Sequence, residues 1–410
     1  MSIFREIPPT AGFRLYVKDF LSLCGPRRYQ GSLEEDFQQY LNVKYARVLS
    51  SGSAAFYIIL EALKELSSKR TVVIPSYVCP LVPLAIKRAE LKIEICDINS
   101  DNFDFDIRQL DNLCSCNPDI LAIVPVHLGG IPVNFDAIQR IAAKYSIFTV
   151  EDCAQALGAA YGDKKVGTLG DFSFFSLARG KGLTIYEGGV IVSKRSEYAA
   201  LLDDKIKQFL RSNFSLEALR FLELIGYWVF YRPRLFWFVF GLPQAFWNMQ
   251  NNPIRASSEY YSVDFPVHKV WEMRKMLGHI TFSRLENEIQ KQRQKANYYI
   301  EGLKGISGIK IIKESPEAKA NYPYLTVIFD DAAQKNRFIR ATVSRGLGIS
   351  WAYALAISDY DYLKPILPDK KYLNARDLAK NSLTLSTSAY LRPKDLDEVI
   401  NTLKNTEKIS

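Results

Sequence analysis

The sequence has few of the residues that build metal centres or disulfide frameworks. Six cysteines stand at positions 24, 79, 96, 114, 116 and 153, without CxxC pairs and without the density of a disulfide scaffold. Of the three histidines, His268 and His279 lack partners at metal-ligand spacing, and we expect His127 to be a satisfied residue at a strand end. We therefore predict reduced thiols and no metal.

The N-terminus and the distribution of charge weigh against two further classes of protein. The first residues, MSIFREIPPTAGF, lack an apolar core of signal-peptide length, so we expect a cytoplasmic protein. A net charge of +9 favours anionic partners such as phosphorylated or nucleotide-linked substrates, anionic lipid or nucleic acid. Because the basic residues are spread along the chain without a recognisable nucleic-acid-binding motif, we predict no nucleic-acid partner.

Between residues 45 and 195, short apolar runs alternate with longer amphipathic segments. Candidate strands are Thr71–Ile74, Leu91–Cys96, Ile120–Val126, Ile147–Val150, Phe172–Phe175 and Val190–Val192. The segments between them include predicted helices over Ala54–Leu66, Leu81–Arg88 and Phe135–Lys144. This alternation predicts an α/β fold with a mostly parallel sheet covered by helices, and ligands bind such sheets at the carboxyl ends of the strands.

The 410 residues suit more than one domain. We predict an N-terminal segment (1–40), a large domain (41–210), an aromatic-rich insertion (211–258) and a C-terminal region (259–410). The C-terminal region begins with a long helix over Glu272–Leu303 and continues as a small α+β domain with strands near Tyr324–Phe329 and Leu383–Leu385.

Segment 214–250 is very apolar and aromatic. Its densest apolar runs, about eight residues on either side of Arg232-Pro233-Arg234, are shorter than the roughly 20 residues of a membrane-spanning helix. Aromatic residues interleaved with arginine suit a helix that lies in a membrane interface. A buried dimer interface or a hydrophobic wall of a substrate site explains the same composition, so both interpretations stay open.

Two short motifs suggest an anion site and a buried carboxylate. Ser50-Ser51-Gly52-Ser53-Ala54-Ala55 stands at the start of a predicted helix, where backbone N–H groups and the helix dipole can hold a phosphate. Glu151-Asp152-Cys153-Ala154-Gln155 directly follows a predicted strand. A carboxylate in such an apolar setting needs a cationic partner, for which a protonated pyridine nitrogen would serve. Helix capping explains either motif in isolation.

Two further motifs surround a lysine. The run Phe175-Ser176-Leu177-Ala178-Arg179-Gly180-Lys181-Gly182 places that lysine between glycines in a loop. Schiff-base chemistry requires such a partly desolvated position with an accessible neutral amine, although most lysines are simply solvated. Glu187-Gly188-Gly189 precedes a strand and allows the backbone to pass close to a bulky group.

In this order the motifs resemble those of the DegT/StrS-type sugar aminotransferases, which are fold type I enzymes dependent on pyridoxal 5'-phosphate (PLP). The resemblance covers nearly the whole chain, and its most specific part is Gly170-Asp171 followed by Phe175-Ser176, Lys181 and Glu187-Gly188-Gly189. It implies the fold type I architecture, with a seven-stranded sheet and a small C-terminal domain. It also implies a homodimer with active sites near the interface.

The resemblance assigns a role to each motif. Lys181 would carry PLP as a Schiff base and move the proton during catalysis, Asp152 would pair with the pyridine nitrogen, and Gln155 would contact the phenolic oxygen. The phosphate would be held by Gly52, Ser53 and Ser176. An ionised Asp152 would keep the ring nitrogen protonated, which allows the ring to withdraw electrons from the reacting carbon.

The implied reaction transfers an amino group from an amino acid, glutamate by resemblance, to a keto-sugar that is nucleotide-linked and belongs to polysaccharide or lipopolysaccharide-type biosynthesis. Three positions depart from the family pattern. Relatives carry an aromatic group over the cofactor ring where this chain has Tyr77-Val78-Cys79, and we assign Tyr77 to that place. Ala178-Arg179-Gly180 replaces His-Pro-Thr, and the Gly-Tyr-Asn-x-Arg segment of the neighbouring subunit is not recognisable around Phe265–Arg274.

Two other functions are compatible with the same motifs. A PLP-dependent sugar dehydratase shares the fold, but dehydratases of this family carry histidine where this chain has Lys181. A non-catalytic, membrane-associated relative is the second, and it would lack the visible absorbance of a lysine-bound cofactor. If segment 214–250 contacts lipid, we expect a peripheral location at the inner membrane face.

Overall fold

A computed structural model of the protein describes residues 5–23, 30–250, 259–342 and 345–407. Its strands in the first half of the chain are β1 (Tyr45–Leu49), β2 (Thr71–Pro75), β3 (Lys92–Cys96), β4 (Ile120–Ile123), β5 (Phe148–Asp152), β6 (Ala160–Tyr161), β7 (Lys164–Lys165), β8 (Phe172–Ser176) and β9 (Gly189–Ser193). Seven of them form one sheet in the order β1-β9-β8-β5-β4-β2-β3. Only β9 runs antiparallel to its neighbours, which confirms the predicted mostly parallel seven-stranded sheet.

Helices cover this sheet and form most of the remaining chain. The helices are α1 (Val17–Leu23), α2 (Leu33–Leu41), α3 (Gly52–Leu66), α4 (Leu81–Arg88), α5 (Ile107–Cys116), α6 (Phe135–Tyr145), α7 (Ala199–Phe209), α8 (Phe214–Phe230), α9 (Pro233–Phe236), α10 (Leu242–Met249), α11 (Glu272–Phe282), α12 (Leu285–Gly302), α13 (Ala332–Thr342), α14 (Leu373–Asn381) and α15 (Pro393–Glu407). The three helices predicted between strands of the sheet correspond to α3, α4 and α6. Helix α3 is apolar around most of its circumference and is correspondingly buried, packing on β8 and β9.

Two smaller sheets complete the fold. Strands β10 (Ile309–Ile312), β12 (Tyr324–Phe329) and β13 (Ser382–Ser386) form an antiparallel sheet, as predicted near Tyr324–Phe329 and Leu383–Leu385. Strand β11 (Ala318–Lys319) pairs with β6, which also pairs with β7. This second sheet joins the C-terminal region to the loop that follows β5.

Two predicted elements are shorter than expected. Strand β4 ends at Ile123 and not at Val126, because Pro125 has no N–H group to continue the hydrogen-bond ladder. The single helix predicted over Glu272–Leu303 is two helices, α11 and α12. Between them the Arg284 N–H donates to the Thr281 carbonyl, and the Arg284 guanidinium forms an ion pair with Asp19 of α1.

Segment 214–250 packs against the N-terminal segment. It forms α8, α9, a π-helical turn over Trp237–Gly241, and α10. Helix α8 buries Leu224 and Tyr227, and the Tyr227 hydroxyl donates to the Phe13 carbonyl at 3.0 Å. Within the described residues, none of the helices has both the length and the apolar character needed to cross a membrane.

The predicted domain boundaries stay a prediction, because the structure gives no separate test of them. The predicted insertion ends in residues 251–258, which lie outside the described residues. The same holds for Cys24 and for the first four residues of the chain.

We predict that Gly189→Ala weakens the junction between the sheet and α3. A Cβ atom at Gly189 would lie 2.2 Å from the Ser51 carbonyl oxygen and 2.5 Å from the Gly52 nitrogen, both of which are backbone atoms. We expect the free energy of unfolding, measured by urea denaturation, to fall by about 1–3 kcal/mol. Gly226→Ala is the control, because a Cβ atom there meets nothing within 4 Å. Equal stability of the two variants would contradict the prediction.

Candidate active site

Lys181 lies in the loop between β8 and β9, which folds back on itself. The Arg179 N–H donates to the Tyr186 carbonyl at 2.7 Å, and Gly180 has a φ of 77°, a value that glycine adopts without strain. The loop holds Lys181 half-buried. Burial lowers the pKa of its amine, while Cys79 and Asp152 act in the opposite direction. The glycine before the lysine is therefore explained by the turn.

Asp152 is the last residue of β5 and is 5% exposed. Its Oδ1 accepts a hydrogen bond from the Ala154 N–H at 2.9 Å. Burial raises its pKa to about 6, although the Ala154 hydrogen bond and the charges of Lys181 and His127 lower it. Asp152 and Lys181 interact electrostatically with each other. The structure therefore brings together the two side chains that the sequence assigned to opposite sides of one cofactor.

The proposed phosphate-binding residues meet where α3 begins. Ser51 caps the helix by accepting a hydrogen bond from the Ala54 N–H at 3.0 Å. A Cβ atom on Gly52 would lie 3.3 Å from the Cβ of Ser176, the last residue of β8, so these two backbones approach closely. Ser53, in the first turn of α3, is half-buried. The helix N-terminus and the small residues around it fit a phosphate group.

Gln155 is held in place by three hydrogen bonds. Its Oε1 accepts from the Gly129 N–H at 2.9 Å and from the Tyr324 hydroxyl at 2.6 Å, and its Nε2 donates to the Tyr353 hydroxyl at 3.3 Å. Tyr324 and Tyr353 come from the C-terminal region, which sequence reasoning did not connect with the site. The contact of Gln155 with a phenolic oxygen stays a prediction.

The structure packs Tyr77 tightly between other aromatic rings. Its ring centroid lies 6.3 Å from that of Phe103 and 5.6 Å from that of Tyr353, and its hydroxyl donates to the Tyr353 carbonyl at 2.8 Å. Two residues further on, Cys79 is half-buried and interacts electrostatically with both Lys181 and Asp152. The stacking role of Tyr77 stays a prediction. Cys79 lies near Lys181 and Asp152, and the sequence analysis did not assign it to the site.

Arg274 holds the Lys181 loop in place through hydrogen bonds. It is fully buried and donates hydrogen bonds to the carbonyls of Ile185 and Glu187, which lie in the loop. Its Nε also donates to Glu217 of α8 at 3.0 Å. This support was not predicted, because the residues are distant in sequence and share no motif.

Glu217 is the charged partner of this support. It accepts hydrogen bonds from His268 Nε2 at 2.8 Å and from the Trp271 N–H at 2.6 Å. Burial alone would raise the pKa of Glu217, but hydrogen bonds from His268 and Arg274 outweigh burial and lower the pKa to about 2. Glu217 is therefore ionised at neutral pH, and its ion pair with Arg274 connects α8 to the Lys181 loop.

His127 belongs to a second buried network, behind Asp152. Its Nε2 contacts Glu151 Oε2 at 3.1 Å, and its Nδ1 accepts from the Val133 N–H at 3.3 Å. The Glu151 carboxylate also accepts from the N–H groups of residues 167, 169 and 170, each at 2.8 Å. His127 thus has partners at a strand end, as expected.

The same network bears on the metal prediction. His127, Glu151 and Cys153 offer atoms within 4.8 Å of one another, a spacing that a metal ion could use. Glu151 is already occupied by one histidine and three backbone donors. The prediction of no metal stays a prediction. Gly170, the start of the most specific sequence motif, is one of these backbone donors.

Comparison with known proteins connects this geometry to one family. The sequence profile of the DegT/DnrJ/EryC1/StrS aminotransferase family matches residues 18–216 and 267–404. The chain belongs to this family. The unmatched stretch between these ranges contains α9, α10 and nearly all of α8. The resemblance inferred from the motifs is thereby confirmed, together with the aminotransferase class.

Individual relatives extend over most of the chain. UDP-4-amino-4,6-dideoxy-N-acetyl-beta-L-altrosamine transaminase of Campylobacter jejuni serotype O:23/36 is 27% identical over 379 residues, which cover 90% of this chain and 87% of the relative. Spore coat polysaccharide biosynthesis protein SpsC of Bacillus subtilis is 24% identical, with 94% and 90% covered.

Among solved structures, Spr1654 of Streptococcus pneumoniae in its PLP form has a TM-score of 0.74 at 19% identity, and the match covers 98% of this chain and 99% of that one. This similarity confirms the predicted fold. PLP, which the sequence motifs implied, is the cofactor of this group of enzymes.

We predict that Asp152→Asn stabilises the cofactor-free protein at high pH. The pKa of Asp152 rises from an ordinary 3.8 to about 6 on folding, so the stability that its protonated form contributes is present below pH 3.8 and is lost as the pH rises through 6. Asparagine stays neutral and avoids this loss. At about pH 8 we expect the free energy of unfolding of the variant to exceed that of the wild type by roughly 2–3 kcal/mol. Near pH 4 the two values should be nearly equal.

Urea denaturation at the two pH values measures this difference. The control is Asp204→Asn, an exposed aspartate whose side chain is 73% accessible. A difference between Asp152→Asn and the wild type that does not change with pH would show that the carboxylate at 152 is not destabilised by burial.

Proposed function

We propose that this protein transfers an amino group from an amino acid to a nucleotide-linked keto-sugar that is used in polysaccharide biosynthesis. The observation that carries the proposal is that the buried Asp152 carboxylate and the Lys181 amine interact electrostatically in one desolvated environment. The N-terminus of α3 approaches Ser176, at the start of the loop that carries Lys181. The names of the Campylobacter and Bacillus relatives support the class of acceptor and the pathway.

Each group in the site has a separate task. Bound PLP supplies an aldehyde that receives the amino group and a ring that withdraws electrons from the neighbouring carbon. The lowered pKa of Lys181 favours its neutral amine, which can take a proton from the donor carbon and return it. The carboxylate of Asp152 can hold a proton on the ring nitrogen, while the N–H groups at Gly52 and Ser53 can bind the phosphate.

Arg179 is the residue that we propose to contact an anionic part of the substrates. It is exposed, stands two residues before Lys181, and donates to the Tyr186 hydroxyl at 3.3 Å. It also interacts electrostatically with Tyr261, which in turn interacts with Cys79. A guanidinium at this place suits the carboxylate of an amino-acid donor, glutamate by resemblance, or the diphosphate of a nucleotide sugar.

The homodimer, the cytoplasmic location and the peripheral membrane contact through residues 214–250 stay predictions. The homodimer follows from the family resemblance, which also implies that a neighbouring subunit approaches the phosphate. The dehydratase alternative is disfavoured by a lysine at position 181, the residue that amino transfer requires.

We expect the wild-type protein mixed with PLP to show the visible absorbance band that this cofactor acquires when it is joined to a lysine. Lys181→Ala should lose this band, because the substitution removes the amine that we propose to join the cofactor. Lys304→Ala, an exposed lysine of the same chain, is the matched control and should keep it. A colourless wild-type protein would favour the non-catalytic alternative.

The acceptor can be identified with protein loaded with pyridoxamine phosphate. Addition of the correct keto-sugar nucleotide should return the visible band and release an amino-sugar in equal amount, detected by mass spectrometry. Simple ketones should do so much more slowly if the nucleotide contributes to binding. Consumption of the sugar with loss of water and without an amino product would instead indicate a dehydratase.

A further inference from the structure

Helix α8 presents an apolar stripe to the outside of the molecule. Leu219, Leu222 and Phe230 are 48%, 63% and 41% exposed, and Gly226 lies between them. Spacings of three and four residues place all four positions on one side of the helix. The opposite side carries Leu224 and Tyr227, which are buried. The side that packs thus combines these apolar residues with the buried Glu217, whereas the side that faces outward is apolar.

Further exposed apolar side chains lie on the neighbouring elements. Helix α1 lies beside α8, with the rings of Phe20 and Trp228 separated by 5.3 Å, and it exposes Val17 and Leu21 at 54% and 66%. The π-helical turn and α10 add further exposed side chains. The membrane face, as we name this surface, comprises Val17, Leu21, Leu219, Leu222, Gly226, Phe230, Phe238, Val239, Leu242 and Phe246. Exposed apolar surface of this extent marks an interaction site.

Four basic residues border the membrane face. Arg14, Lys18, Arg232 and Arg234 are exposed. Arg14 and Arg232 both interact with Tyr390, and the Arg232 guanidinium lies 5.7 Å from the centre of the Trp228 ring. Basic side chains therefore accompany α1 as well as α8 and α9.

Acidic residues are nearly absent from the same stretches of chain. Segment 214–250 contains two acidic residues: Glu217 is buried and paired with Arg274, and the partly exposed Glu223 is paired with Arg220. Residues 224–250 contain neither aspartate nor glutamate. Residues 10–23 contain only Asp19, which is buried and paired with Arg284. An apolar, aromatic surface bordered by basic groups is complementary to a lipid bilayer with anionic headgroups.

We propose that the protein binds the surface of an anionic membrane through this face, with α8 lying along the interface. The apolar side chains would enter the boundary between headgroups and acyl chains, and the basic residues would meet lipid phosphates. A second copy of the chain is a poorer partner for the same surface. In a symmetric dimer whose twofold axis passed through the face, the basic residues of the two copies would oppose each other. The acidic residues Asp19, Glu217 and Glu223 are already paired with Arg284, Arg274 and Arg220 of their own copy.

This surface is also fixed relative to the active site. Glu217, on the buried side of α8, is hydrogen-bonded to Arg274, which holds the carbonyls of the Lys181 loop. Arg220 of α8 pairs with Glu187 of that loop. Membrane binding would therefore hold the catalytic loop at a constant distance from the lipid. The proposal does not depend on the sugar substrate, since lipid binding is measured separately from amino transfer.

Gly226 offers a test that leaves the packing of the protein unchanged, since a side chain there enters open space. We compare Gly226→Glu with Gly226→Lys, two substitutions of similar size and opposite charge. Wild-type protein should co-sediment with vesicles of phosphatidylcholine and phosphatidylglycerol, and much less with phosphatidylcholine alone. Gly226→Glu should lower the partition coefficient about tenfold, whereas Gly226→Lys should keep it or raise it.

A second pair of variants tests the basic border. Arg234→Glu should weaken binding to the anionic vesicles at least about fivefold. Lys304→Glu, the same change of charge at an exposed lysine just after α12, should have a smaller effect. The visible absorbance with PLP should be the same in all variants, which shows that the fold and the active site are intact. If the wild-type protein lacked the absorbance band, this result would count against the proposed enzyme activity but not against the proposed membrane binding.

Three results would overturn the membrane proposal. The first is wild-type protein that stays in solution with anionic vesicles at low salt. The second is equal binding by Gly226→Glu and Gly226→Lys. The third is self-association in analytical ultracentrifugation that Gly226→Glu abolishes while vesicle binding is absent, because the face would then be an interface between two copies.

Discussion

The burial of one carboxylate at the end of β5 determines how the site works. Asp152 is removed from water beside an amine that is also desolvated, and the pKa of each shifts toward its neutral form. A ligand that brings a cationic nitrogen to Asp152 and an aldehyde to Lys181 compensates for both. The parallel pairing of β5 with β8 makes this possible, because it places Asp152 beside Phe174, close to the strand end from which the Lys181 loop departs.

The loop that carries Lys181 depends on charged groups outside the proposed chemistry. Arg274 neutralises Glu217 and also donates hydrogen bonds to two carbonyls of the loop, so one buried ion pair connects α8, α11 and the Lys181 loop. Removing either partner would leave a buried charge without compensation, which is strongly destabilising. The aromatic segment is thus connected to the active site on its buried side and offers an apolar surface on the other.

Much of the fold and part of the site followed from local patterns. The alternation of apolar runs and amphipathic segments indicated the sheet and its helices, and the motifs around Asp152 and Lys181 indicated the family. The break at Arg284 was missed because an ion pair with Asp19, 265 residues away, is invisible to a local pattern. Tyr324 and Tyr353 were missed for a related reason: they carry no motif, and only folding brings them to Gln155. Cys79 lies in a segment that the sequence analysis noted, but its proximity to Asp152 and Lys181 depends on the fold.

The sequence by itself determined the residue types that we propose to bind and react: a lysine between glycines, an acidic residue after a strand, and small residues at a helix start. These are local requirements of chemistry and backbone geometry, so they survive as motifs. Tertiary structure alone decided that Asp152 and Lys181 share one desolvated environment, that Arg274 supports the loop, and that α8 leaves an apolar side exposed. Burial and long-range electrostatic contacts depend on which segments pack together. A short stretch of sequence does not show which distant segments it will contact.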